Sequence, residues 1–315
     1  MKSIKYFLLL LIIISCKHGS KNDENLNKSL NYIRIQEIIK ECETKSALES
    51  CDLNSIQHQI LNYKSLGLIS IPVTEKIIRR CYATLNAAEK EKVFTAFMKN
   101  FNLVINEFND NFEENYAVVL EKINNDVKDA ESRDFKKCLN LCGLTLLSTE
   151  GMYYVDAKHD YIYNLFKKDV SPALREFLGI RSEELRQGFS DDAVLMISFD
   201  DLYFRVTNWE DFMLKYPDFF MKEEAKNYYE GYLSTLISGM DNSRIFDYED
   251  DKLLPEIKTL YERIIANNED RKSTRIIAAY YEYLKSIDFK YNESIEKFLK
   301  DNELFTMLGV QPDTR

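Results

Sequence analysis

Glycine and proline are scarce, with nine and five copies in 315 residues. That is about 4%, where average usage gives about 12%. Strand-rich folds need frequent tight turns, and tight turns need these residues. The scarcity points to long helices with short polar connections and excludes a glycine-rich phosphate loop. Histidine is rarer still: His18, His58 and His159 are all there are. No HExxH, GxSxG or GxxxxGK[ST] pattern occurs. Neither a cofactor, nor a metal, nor an enzymatic activity is therefore expected. Beyond the first fifteen residues, no apolar run approaches the 18 or more that a spanning helix needs. Positive charge is also short. The net charge is −10 and the pI about 5.1, with Lys and Arg interleaved among Asp and Glu. Nucleic acid needs a clustered positive field, so it is not an expected partner.

What is present begins at the first residue. Met1 to Lys5 carries two lysines and no acid, and Tyr6 to Ile14 is unbroken apolar sequence. Nine helical residues span about 14 Å, half of a ~30 Å hydrocarbon core. This is the layout of a secretory leader. Ile13-Ile14-Ser15-Cys16 resembles the lipobox of bacterial lipoproteins, with Ile and Ser at positions where Leu and Gly or Ala are commoner. The resemblance covers the leader alone. It implies removal of residues 1–15, a thioether-linked diacylglycerol on Cys16, and stable anchoring in a lipid bilayer by two or three acyl chains. Residues 16–26 are polar and read as a flexible tether. Lys17 is not the Asp that, by the same resemblance, favours inner-membrane retention. The expected location is the bacterial cell envelope, at the outer membrane; either face of that membrane fits.

The body carries helical spacing throughout. Val93, Phe94, Phe97, Phe101, Val104, Ile105 and Phe108 form one stripe, and Tyr228, Tyr229, Tyr232, Leu233, Leu236 and Ile237 another. Further stripes run through Leu253–Ile265 and Ile276–Ile287. Ser171-Pro172 and Ser273 mark helix starts. The expectation is an all-α multi-helix array of ten to thirteen helices and no confident strand. The paired helices from Asp218 onward resemble a TPR- or HEAT-like right-handed stack. Two helical regions, 27–150 and 170–315, flank an irregular aromatic linker at 151–169.

With Cys16 lipidated, five cysteines remain, and five cannot all pair. Cys42 and Cys51 flank a polar segment and could be bridged, and Cys81 could pair with one of the other cysteines or stay free. Cys138 and Cys142 lie one turn apart on an apolar stripe and read as buried thiols.

The most unusual patch lies in the second half. Trp209 is the only tryptophan and opens WEDFMLKYP, which ends at Tyr216-Pro217. Gly239 to Asp247 reads GMDNSRIFD. The pair resembles uncharacterised helical envelope lipoproteins with a WxxFxxKYP segment followed by a GxDNxxxFD turn. Two readings stand. In one, Trp209, Tyr216, Asp241, Asn242, Arg244 and Asp247 face a partner protein, Trp and Arg being enriched at hot spots. In the other, Trp209 and Tyr216 pack the core and the Asp-Asn turn caps a helix. The functional expectation is a membrane-tethered protein-binding module of immunity or scaffold type. The alternatives are a helical envelope hydrolase or glycan-binding protein, built on two converging carboxylates, and an architectural spacer.

Overall fold

The computed structural model describes residues 32–301, apart from 48, 111, 150, 169, 268 and 269. The leader, Cys16 and the tether at 16–26 lie outside the described residues. The chain divides into two compact units, 1–170 and 171–315. It is mostly helical with two small hairpins. No helix among the described residues is long and apolar enough to cross a membrane.

The N-terminal unit contains α1 (Tyr32–Ser46), α2 (Leu53–Tyr63), α3 (Ser70–Cys81), α4 (Ala87–Asn109), α5 (Phe112–Asn124) and α6 (Ala130–Leu141). Side chains satisfy orphan N–H groups at the starts of α2, α4 and α6. Asp52 caps α2 through the Ser55 N–H, and Asn86 and Glu89 form a capping box on α4. The α4 stripe is buried from Val93 to Ile105. Phe166 closes on it edge-to-face, 5.0 Å from Phe94 and 5.3 Å from Phe97.

Residues 151–169 are not an irregular linker. A hairpin of β1 (Leu144–Thr149) and β2 (Met152–Ala157) is followed by the short helix α7 (Tyr161–Phe166). The hairpin buries Leu144 and Val155 on one face. Gly143 enters it at φ 69°, and a Cβ there would sit 2.4 Å from the Tyr161 ring, so the chain passes directly beneath that ring.

The disulfide joins Cys51 to Cys81, with Cα atoms 5.0 Å apart. The expected Cys42–Cys51 bridge is absent because Cys42 belongs to the buried stripe of α1, with Ile35, Ile38 and Ile39. The end of α3 instead meets the start of α2, where the Thr84 hydroxyl donates to the Cys51 carbonyl at 3.3 Å. Cys42, Cys138 and Cys142 lie outside this disulfide and are buried. Burial pushes the Cys138 thiol up to about 12 and raises Cys142 as well.

The C-terminal unit contains α8 (Pro172–Gln187), the two-residue strands β3 (Ser190–Asp191) and β4 (Val194–Leu195), then α9 (Phe199–Lys215) and α10 (Lys222–Ser238). After a long turn come α11 (Pro255–Ala266), α12 (Lys272–Ser286) and α13 (Ser294–Asp301). Ser171 caps α8 with Pro172 in its first turn, and Ser198 with Asp201 forms a capping box on α9. α9 packs along α10, and α11 along α12. Ser273 does not open α12, which begins one residue earlier. The Glu210 carboxylate on α9 caps it instead, accepting from the Lys272 N–H at 2.6 Å and from the Ser273 hydroxyl. Among the described residues no repeat stack is identified: helices range from 6 to 23 residues and hairpins interrupt their succession.

Candidate functional site

α9 continues an apolar stripe, Leu202, Val206, Trp209 and Phe212, into the middle of the C-terminal unit. Trp209 is accordingly 0% exposed and cannot touch a partner. Its Nε1–H donates to Glu184 Oε1 at 2.7 Å. Arg181 donates to the other carboxylate oxygen at 2.6 Å and lies 3.9 Å over the Tyr228 ring, which stacks on Trp209 at 5.0 Å. One turn before Trp209, Arg205 is also buried. It donates to the Gly188 carbonyl at 2.6 Å, to Gln187 Oε1 at 3.1 Å and to the Tyr232 hydroxyl at 3.3 Å. Two guanidiniums and one carboxylate thus share a buried aromatic setting, each charge held by polar partners as burial requires. Tyr216 is half-buried at the end of α9, where its hydroxyl donates to Glu176 at 2.8 Å.

The other expected residues come together elsewhere. α10 ends at Ser238, and Gly239 turns the chain at φ 73°. A Cβ on Gly239 would lie 2.7 Å from the Ser243 carbonyl oxygen. The following Asp-Asn turn grips the β3–β4 hairpin. Asn242 donates from its side chain to the Asp192 carbonyl at 2.6 Å and from its backbone to the Ala193 carbonyl at 3.2 Å. The Leu195 N–H donates to the Ser243 hydroxyl at 2.8 Å. Asp192 and Ala193 both sit in the left-handed region, at φ 46° and 55°, as a two-residue hairpin turn demands. Ile245 and Phe246 anchor the loop in the core.

Above these anchors the surface is exposed. Arg244 lies 4.8 Å over the Tyr248 ring, whose hydroxyl donates to the Asp241 carbonyl at 3.1 Å. Asp247 folds its own loop, accepting from the Glu249 N–H at 2.7 Å. Tyr248 is 68% exposed and Met196 60%, with Val194 also exposed. Asp192, Asp241, Glu249 and Asp250 are exposed on the same two loops. Of the six residues singled out in the sequence, Asp241, Asn242, Arg244 and Asp247 share this surface, whereas Trp209 and Tyr216 do not. Tyr216 lies past the far end of α9, about 25 Å of helix away from the hairpin. Missing from the sequence-based set were Val194, Met196 and Tyr248. The Asp192-Ala193 pair that presents Val194 and Met196 lacks the glycine or asparagine that usually marks such a turn.

Among the described residues, no group of three His, Cys, Asp or Glu is placed to hold a metal ion. His58 lies on an exposed helix face beside Asn62, 3.0 Å from its amide nitrogen. Searches against known protein families, curated proteins and solved structures find no match to this chain.

Proposed function

We propose that the chain is a lipid-anchored protein of the bacterial envelope that binds another protein through the loop surface around Tyr248, in a role of immunity or scaffold type. The observation that carries this reading is the clamp of Asn242 on the β3–β4 turn. It joins the β3–β4 turn, with its left-handed alanine and exposed Val194 and Met196, to the loop that carries the Arg244–Tyr248 pair. Strained backbone of this sort persists where surrounding structure over-determines it and clusters at functional surfaces. The carboxylates around the patch suit a partner with a basic face. The lipobox-like Ile13-Ile14-Ser15-Cys16 supports the anchor, and the Cys51–Cys81 disulfide accords with an oxidising compartment.

Two measurements test the proposal. Fatty-acid labelling should be present in the unaltered chain and lost with Cys16→Ala, which should also release the protein from membranes. A photo-crosslinking amino acid at Tyr248 or Val194, in intact cells, should capture the same discrete protein from both positions. Arg244→Glu should abolish that capture. The binding surface is wrong if a crosslinker at Leu61, which is exposed in the N-terminal unit, captures that protein equally well.

A further inference from the structure

The β1–β2 hairpin has two outer edges, and the fold treats them differently. On the β2 side, Asn109 imitates a neighbouring strand. Its side chain donates to the Val155 carbonyl at 2.9 Å and accepts from the Val155 N–H at 2.9 Å. Glu113 accepts from the Tyr153 N–H at 2.6 Å. Val155 and Tyr153 therefore point their backbone groups away from β1. Their register partners, Leu146 and Ser148, point theirs the opposite way, as antiparallel alternation requires. Among the described residues, nothing meets the outward N–H and C=O of Leu146 or Ser148.

We infer that β1 is a pairing edge for β1 of a second copy of this chain. In a chain with 30% charged residues, the strand Leu-Thr-Leu-Leu-Ser-Thr carries no charge. It lacks the lysine, proline or bulge by which proteins block such an edge. An antiparallel pair with its two-fold axis at Leu147 uses the free groups of both residues, because Leu146 of one copy then exchanges two hydrogen bonds with Ser148 of the other. The same register sets Leu147, 37% exposed, against its own copy at the closest type of cross-strand pair, and Thr145 against Thr149. Apolar and Thr–Thr pairs of this kind are favourable, and no like charges are opposed. The result is one four-stranded sheet, a more stable unit than two separate hairpins. The inference does not depend on the lipid anchor or on the Tyr248 surface.

Leu147→Cys in the full chain tests it. Directly opposed residues of this pair type lie within disulfide reach. Mild oxidation should therefore give a reducible dimer at least ~10-fold faster than Leu61→Cys or the unaltered chain, which reports any background from Cys16. Adding Ser148→Lys should slow the crosslink by about tenfold or more, with the thermal midpoint unchanged. Sedimentation of the unaltered chain should show a concentration-dependent dimer that Leu147→Lys converts to monomer. Crosslinking no faster than with Leu61→Cys, or a product whose mass includes a different protein, overturns the inference.

Discussion

A buried indole N–H left without an acceptor costs about 1–3 kcal/mol. Trp209 escapes that cost through Glu184, and Glu184 is in turn neutralised by Arg181. Trp209→Phe keeps a ring in place but strips the donor from Glu184, and should lower stability by about 1–3 kcal/mol. Trp209→Ala also opens a cavity and should lower it by about 3–5 kcal/mol. Arg244→Ala, on the loop surface, should stay within about 0.5 kcal/mol. Urea unfolding followed by circular dichroism separates these outcomes, and similar losses for Trp209→Ala and Arg244→Ala would contradict the placement. The sequence left Trp209 open between core and partner surface, and the buried stripe Leu202, Val206, Trp209 and Phe212 places it in the core. Its acceptor was not legible. Glu184 lies 25 residues earlier, and Arg181 with Glu184 looks like any exposed i,i+3 pair. Arg205 was the available signal: a cation inside an apolar stripe must find acceptors when it is buried.

Helix starts show why elements were easier to read than the contacts between them. Asp129 caps α6, accepting from the Ser132 N–H at 2.8 Å, and Lys122 lies 2.9 Å from its carboxylate. The backbone hydrogen bond first, and then Lys122, hold its carboxyl down at about 2. A carboxyl depressed in the folded state adds stability above its ordinary range near pH 4, and that contribution fades as pH falls toward 2. Asp129→Ala should therefore lower the unfolding midpoint near pH 7, and the gap from the unaltered chain should narrow between pH 4 and pH 2. An equal gap at both ends of that range would show that the charge of Asp129 plays no part. Helices are legible because an apolar stripe recurs every three or four residues along a single element. The β1–β2 hairpin was not. Leu146 and Leu147 are adjacent and apolar on opposite faces, which erases the alternation that marks a half-buried strand. β3 and β4, at two residues each, are too short for any period.

At the scale of the molecule, the cysteines and the tryptophan report on different halves. Every cysteine lies before residue 143, and the single tryptophan is Trp209. The Cys51–Cys81 pairing was beyond the sequence, because spacing along the chain does not say which helix ends meet. It ties the start of α2 to the end of α3 across 30 residues, which by chain entropy is worth about 3.5 kcal/mol. Each unit buries its own core, Phe94, Phe97 and Phe166 in one and Trp209, Tyr232 and Tyr261 in the other. Reduction should therefore lower the midpoint of the N-terminal unit, read as a shifted component in calorimetry. It should leave the tryptophan fluorescence transition where it was. Cys51→Ser should reproduce the calorimetric shift without reductant. If fluorescence moves in step with calorimetry, the two units unfold as one cooperative body, and the independence of their cores is refuted.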